Sequence, residues 1–482
     1  MRVLEGLEPS SVLYYFEEIC GIPHISYHEK QLSDYCVKFA KERNLFCQQD
    51  ELGNVLIIKD AAAGYEDVEP VIIQGHLDMV GDKLPECPID MEKEPIRIKV
   101  EGDYITAEGT TLGGDDGIAV AYALALLDAE DIPHPRLEVV LTVSEEVGLL
   151  GATAMDLSAC KGRRLINIDS ELEGILTAGC AGGVRVLSQV PMTRKMMNGI
   201  VCGAVWEGLK GGHSGVEINS GLANANVLLG RFLQMLKEKA IYGLAELGGG
   251  VKDNVIPKDA KAVFVITEEK LELVKEVLAE FNSQFNTEYG VTEPAGSLKL
   301  EIGNACELQV LDEVSMEKAL VALNTMPNGV QAMSMDLPGL VETSLNMGTV
   351  ELTDNMLKIG FSVRSSVTSA KNHTARKVEM LTKILGGTAE RAGDYPGWAY
   401  ARSSKLRDLC VELYKKQTGK EMKVDVIHAG LECGILSSKI EGLDCVSIGP
   451  DMEAIHSPNE KLSISSVERV WEYLKAVIAV KE

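Results

Sequence analysis

The chain has no stretch near the roughly 20 consecutive apolar residues that a membrane-spanning helix needs. Its opening, "MRVLEGLEPSSVLYYFEEIC", lacks the apolar core of a signal peptide. These absences point to a cytoplasmic protein without a membrane partner. Basic residues are outnumbered, 47 Lys and Arg against 72 Asp and Glu, for a net charge of -25. That balance argues against nucleic acid or an anionic lipid surface as the main partner and fits an enzyme or a cation-binding protein. The 11 cysteines are odd in number, scattered and without a C-x-x-C pair, which reads as reduced packing thiols, Cys433 standing nearest to any chemistry. There is no G-x-G-x-x-G and no P-loop, and the two aspartates of "LGGDDG" would repel a phosphate, so nucleotide binding is not expected. Internal repeats and low-complexity segments are missing too.

What is present is an ordinary globular composition, 45% hydrophobic and 25% charged, in 482 residues, which is too long for one core. The segments "SSVLYYFEEIC", "EKQLSDYCVKFAKERN" and "DDGIAVAYALALLDAE" have helical patterns, whereas "NVLIIKD", "PVIIQG", "RLEVVLTVSEE" and "RLINIDSE" read as strands. Alternation of this kind indicates an α/β domain with a central, mostly parallel sheet flanked by helices. After "AGCAGGVRVL" the style changes to Gly-rich loops and strands such as "AKAVFVIT" and "NMLKIGFSVRSS", and it returns near the C-terminal end with "SKLRDLCVELYKKQTG", "LDCVSIGP" and "SSVERVWEYLKAVIAV". The expected architecture is therefore a catalytic domain over residues 1–185 and 399–482 with an inserted α+β lid over 186–398.

Four apolar runs deliver metal-binding residue types at or just after their C-terminal ends: "VIIQGHLD", "LEVVLTVSEE", "LINIDSE" and "DCVSIGPDMEAIHSP". The crevice at the carboxyl ends of such strands is where ligands bind in open α/β sheets. With Asp115 of "LGGDDG", the candidate ligands are His76, Asp115, Glu146, Asp169 and His456. Two imidazoles and three carboxylates suit zinc, yet exceed what one catalytic ion takes; with one carboxylate bridging they suit a pair of ions. His76 and Asp78 lie two residues apart at a strand end, so the carboxylate can fix the imidazole tautomer. If Glu145 and Glu146 continue the strand they face opposite sides, one toward metal and one toward bound water as a general base.

The ordered motifs "GHLDMV", "TTLGGDDGIA", "SEEVGLLGA", "NIDSE", "GLKGGHSG", "DNVIP", "HAGLECG" and "HSPNE" span nearly the whole chain. Together they resemble the co-catalytic zinc peptidases that include aminoacylases and carnosinase, and among these the bacterial aminoacyl-histidine dipeptidases. The resemblance implies that Asp115 bridges two metal ions, with His76 and Asp169 completing one site and Glu146 and His456 the other. It implies that Asp78 orients His76 and that Glu145 activates the water that attacks a peptide carbonyl. His213 would stabilise the oxyanion, from its own or a partner subunit. Arg364 and Asn254 would hold the substrate's C-terminal carboxylate, with a backbone contact at Gly430. His428 and Glu432 receive no fixed role. The ions implied are zinc, with cobalt or manganese as substitutes; the partners are a small peptide substrate and a second copy of the chain meeting through the lid. Closure of the lid would bring Arg364 and His213 over the metals. Competing expectations are a tripeptide aminopeptidase, an N-acyl amino acid amidohydrolase and a non-catalytic metal-binding relative.

Overall fold

The computed structural model describes residues 2–481. They form two compact units, one running to Cys180 and resuming over Tyr400–Val426 and from Leu431 onward, the other comprising Ala181–Ala399 with Ile427–Gly430. Each has its own apolar core, the first gathered from residues 4–178 and 406–478, the second from residues 184–385. The junctions differ from the sequence expectation at Ala399, which falls in the second unit, and more substantially in two other places. Residues 181–185, expected in the first domain, go with the second because the strand Gly182–Pro191 pairs along its whole length with Met356–Ser365. Residues 427–430 follow them, since the Ala181 N–H donates to the carbonyls of Ile427 and Ala429 at 3.1 and 2.9 Å.

An eight-stranded sheet organises the first unit, in the order Phe46–Gln49, Val55–Lys59, Leu137–Thr142, Val71–His76, Arg164–Asn167, Asp444–Ser447, Ile175–Cys180 and Lys423–Ile427. The central strands from Leu137–Thr142 to Asp444–Ser447 run parallel, and antiparallel pairings flank them. Parallel strands covered on both faces are apolar at successive positions, and "VIIQGH" and "LEVVLT" are buried throughout. The helix Gly114–Asp128 is buried on every side from residue 114 to 127, as its unbroken run "GIAVAYALALL" requires. Tyr122 fixes it to the closing helix Ile464–Ile478, stacking on Trp471 at 5.9 Å and donating to the Val467 carbonyl at 2.8 Å. Because His76 lies opposite Thr142 and Gln74 opposite Asn167, the loops that follow these strands start side by side.

The second unit is α+β. Its nine-stranded sheet is antiparallel at the pairings described, and the helices Ala225–Lys239, Leu271–Tyr289, Glu313–Thr325 and Thr368–Ile384 accompany it. Among the described residues no helix is long and apolar enough to cross a membrane.

Candidate functional site

His76 ends its strand, buried, with Asp78 just beyond. Its Nδ1 lies 2.9 Å from the Asp78 backbone carbonyl and 3.5 Å from Asp78 Oδ1, so the main chain of Asp78 is the nearer acceptor. With Nδ1 committed as a donor, Nε2 faces Asp115 Oδ1 at 3.2 Å and Asp169 Oδ1 at 4.0 Å. His456 sits on a loop in a left-handed conformation, φ +59°. Its Nε2 is 3.1 Å from Asp115 Oδ2 and 2.7 Å from Glu146 Oε1. One carboxylate, Asp115, thus presents its two oxygens to two imidazoles.

The sequence pattern places Glu145 and Glu146 on a continuing strand. The structure does not: Leu137–Thr142 ends earlier, and Ser144 adopts φ +54°, so the two acids occupy a turn. Asp78 pins that turn, Oδ1 accepting the Glu145 N–H at 2.9 Å and Oδ2 the Glu146 N–H at 3.2 Å. Asp78 therefore supports the acid pair as well as the histidine.

Ligand atoms of Asp115, Glu146 and His456 lie within 4.8 Å of one another, as do those of His76, Glu145 and Glu146, and those of His76, Asp116 and Asp169. Asp116 had no place in the sequence reading. Its Oδ2 accepts the His76 N–H at 3.1 Å, while its buried Oδ1 has no hydrogen-bond partner among the described residues. Glu146 Oε1 likewise lacks hydrogen-bond geometry, although His456 Nε2 is close by. Atoms that approach without aligning on each other suit a shared third atom between them.

The electrostatics have the same cause. Burial first, then neighbouring acids, pushes Asp169 and Glu145 well above the usual carboxylate range, and burial does the same to Asp116. Burial opposes charge on His76, but Asp115 and Asp78 outweigh it and raise its pKa well above the ordinary value. Asp115 and Glu146 raise His456 to about 11. Burial opposes ionisation of Asp115 too, yet the two imidazoles hold it below the usual range. Acids in excess of cations at low exposure call for added positive charge, and mixed N and O donors in overlapping groups fit divalent metal ions.

Behind these groups lies a layer of which sequence reasoning singled out only Glu432, without a fixed role. Glu460, quoted above only as part of "HSPNE", accepts the backbone N–H groups of Leu112, Gly113, Gly114 and Asp115 at 2.8, 3.1, 2.8 and 3.3 Å and so shapes the loop that carries Asp115. Glu29 accepts the Ser144 N–H and hydroxyl, each at 3.0 Å. Fully buried Glu432 accepts from Thr142 Oγ1 at 2.6 Å and from Gln74 Nε2, and Asn167 Nδ2 donates to Gln74 Oε1 at 2.6 Å. Burial raises the Glu432 carboxyl to about 7. The one signal for this network was Gln74, an amide inside an otherwise apolar strand.

The second unit gathers a different chemistry. Arg364 is buried, its Nε has no hydrogen-bond partner among the described residues, and its side chain makes a long contact, 3.5 Å to the Tyr395 hydroxyl. Its charge is felt by both His213 and His428: burial first and then Arg364 lower both imidazoles, His428 to about 4. His428 Nε2 is 2.8 Å from Ser344 Oγ. His213 Nδ1 accepts the Val216 N–H at 3.3 Å, which puts its proton on Nε2 as a donor. Gly215 lies under this ring, where a Cβ would come within 2.9 Å of Cε1. Asn254 joins His213's segment through its carbonyl, which accepts the Ser214 N–H at 3.0 Å. Gly430 packs on Tyr395.

A profile described as Peptidase family M20/M25/M40 matches residues 72–480. The chain is 38% identical over 480 residues to the cytosol non-specific dipeptidase of Escherichia coli (strain K12), covering 99% of each. The crystal structure of aminoacylhistidine dipeptidase from Vibrio alginolyticus superposes with a TM-score of 0.92 at 35% identity, over 98% of this chain and 97% of that one. The aminopeptidase PepT from Bacillus cereus ATCC 10987 shares the fold alone, with a TM-score of 0.57 at 15% identity over 98% of each chain.

Proposed function

The chain belongs to peptidase family M20/M25/M40, and from that premise we propose that it is a di-metal dipeptidase that cleaves Xaa-His and other unspecific dipeptides. The observation that carries this reading is Asp115, one carboxylate facing two imidazoles, with Glu145 in the same pocket of donors. We assign His76, Asp115 and Asp169 to one metal, with Asp116 beside them, and Asp115, Glu146 and His456 to the other; zinc suits the donors, and cobalt or manganese can replace it. When bound, the two ions polarise the scissile carbonyl and acidify the attacking water.

The remaining work falls to the protein's own groups. Glu145, whose burial favours holding a proton, takes one from the attacking water and passes it to the leaving amine. Asp78 keeps His76 and the Glu145–Glu146 turn in place. His213, neutral and protonated on Nε2, donates to the oxyanion. Arg364 binds the substrate's free carboxylate: a buried guanidinium without an acidic partner among the described residues gains most from an anionic ligand. Asn254 and the Gly430 backbone assist it. A grip on the free carboxylate near the scissile bond favours dipeptides, because a longer chain carries its terminus past the grip. The names of the Escherichia coli and Vibrio alginolyticus relatives support that substrate class, and the first supports a cytoplasmic location.

A homodimer formed through the second unit completes the reading. The strand Ser297–Leu311 is an edge of its sheet and is exposed at residues 301–307, the kind of edge that pairs with another strand. Sedimentation should give twice the chain mass; a monomer at micromolar concentration would remove this part. For the activity, purified protein is assayed on β-alanyl-histidine, ordinary dipeptides, a tripeptide and an N-acetyl amino acid. Preference for the dipeptides is expected, and preference for either of the others would overturn the reading.

A further inference from the structure

The carboxylate grip has a further member that the motifs do not reveal. In the sheet of the second unit, Ser344 lies opposite Arg364, Arg364 opposite Gly183, and Gly183 opposite Tyr395. Opposed residues on antiparallel strands project from the same face, so these positions form one row across four strands. Gly183 leaves a gap in the row, and the phenol of Tyr395 fills it: a Cβ on Gly183 would lie 2.6 Å from the Tyr395 hydroxyl oxygen. On its other side a Cβ on Gly430 would come 3.0 Å from Tyr395 Cε2. The ring is thus held between two glycines with its hydroxyl 3.5 Å from Arg364 Nη1.

The backbone under the ring is fixed as well. Lys371, 1% exposed, donates to the carbonyls of Gly183 and Tyr395 and to Asp394 Oδ1. A buried lysine anchoring both strands keeps the phenol at a set distance from the guanidinium.

We propose that Tyr395 is a substrate-binding residue whose phenol donates a hydrogen bond to the carboxylate held by Arg364. This rests on the reading of Arg364 given above. Arginine has only donors, so where Nη1 meets the phenol oxygen the arginine is the donor and the phenol oxygen the acceptor. A carboxylate offers about four acceptor positions, more than one guanidinium edge occupies. The phenol supplies a further donor on the same face and selects for a free acid over an amide.

The test compares alanyl-histidine with its C-terminal amide, reading KM for the first and the inhibition constant of the second. Tyr395→Phe should lower the preference for the free acid about tenfold or more through KM, with kcat and metal content near the parent's. Gly183→Ala, whose methyl takes the ring's place, should reproduce that loss. Arg364→Ala is the reference for the underlying reading and should erase the preference. If Arg364→Ala erases it while Tyr395→Phe and Gly183→Ala keep it, the role of Tyr395 is overturned and that of Arg364 stands. If none of the three changes the preference, the carboxylate grip itself is wrong.

Discussion

In the first unit the carboxylates of Asp78, Asp115, Asp116, Glu145, Glu146 and Asp169 gather around two imidazoles, and no lysine or arginine pairs with them among the described residues. In the second, a buried guanidinium stands with two imidazoles and, among the described residues, pairs with no carboxylate. Isolated buried charge is costly, and proteins normally pair it within the fold. Here each unit leaves one sign in surplus, which reads as design for a ligand of the other sign: metal cations in the first, a substrate carboxylate in the second. On the proposed reading, activation of water belongs with the acids and substrate selection with the cations.

The sharpest way to break this contrast is at the acids. Asp115→Ala should lose metal at both positions, measured by metal content after dialysis, and take dipeptide turnover to the uncatalysed level. Retention of both ions by this variant would refute a bridging carboxylate. Glu145→Ala should instead keep its metal and lose about 10²–10⁴-fold in kcat, the usual contribution of a general base. Near-parental turnover would remove Glu145 from the chemistry.

A smaller effect is expected one layer out. Glu432 joins Thr142 and Gln74, and Gln74 joins Asn167, residues near the ends of the three strands that lead to Glu145, His76 and Asp169. Glu432→Ala should weaken metal binding about 10–100-fold, as loss of a supporting hydrogen-bond partner typically does, visible in a competitive chelator titration. Unchanged affinity would make Glu432 a packing group.

The smallest expected effect probes the cationic side through pH. His428 has a folded pKa of about 4 against an ordinary 6.5, from burial and then Arg364 and His213. As pH falls below 6.5 the unfolded chain binds the proton first, so stability declines toward pH 4 and is flat above 6.5. Between pH 7 and pH 5 this accounts for about 2 kcal/mol, and His428→Gln should lose that much less stability over the interval. An unchanged slope in thermal unfolding would show that His428 protonates freely in the folded state.

Much of this was legible in the sequence, for physical reasons. Strands buried on both faces have to be apolar, so "VIIQGH" and "LEVVLT" announce themselves, and the loops at their carboxyl ends have to carry whatever chemistry the sheet presents. The turn at Ser144 was not legible, because a left-handed residue after an apolar run leaves no periodic trace. Glu460 and Glu432 act through partners hundreds of residues away, and no local pattern encodes such pairing. Tyr395 was invisible for a similar reason: its place beside Arg364 depends on the register of three strands, with Gly183 between them.

On the proposed reading, the surplus of acids in the first unit holds a pair of metal ions on which peptide hydrolysis depends. The direct measurement is a titration of chelator-stripped protein with zinc, following dipeptide hydrolysis and bound metal together. Activity that rises to a plateau at two equivalents per chain is the predicted result. Full activity at one equivalent, or hydrolysis by the stripped protein, would contradict it.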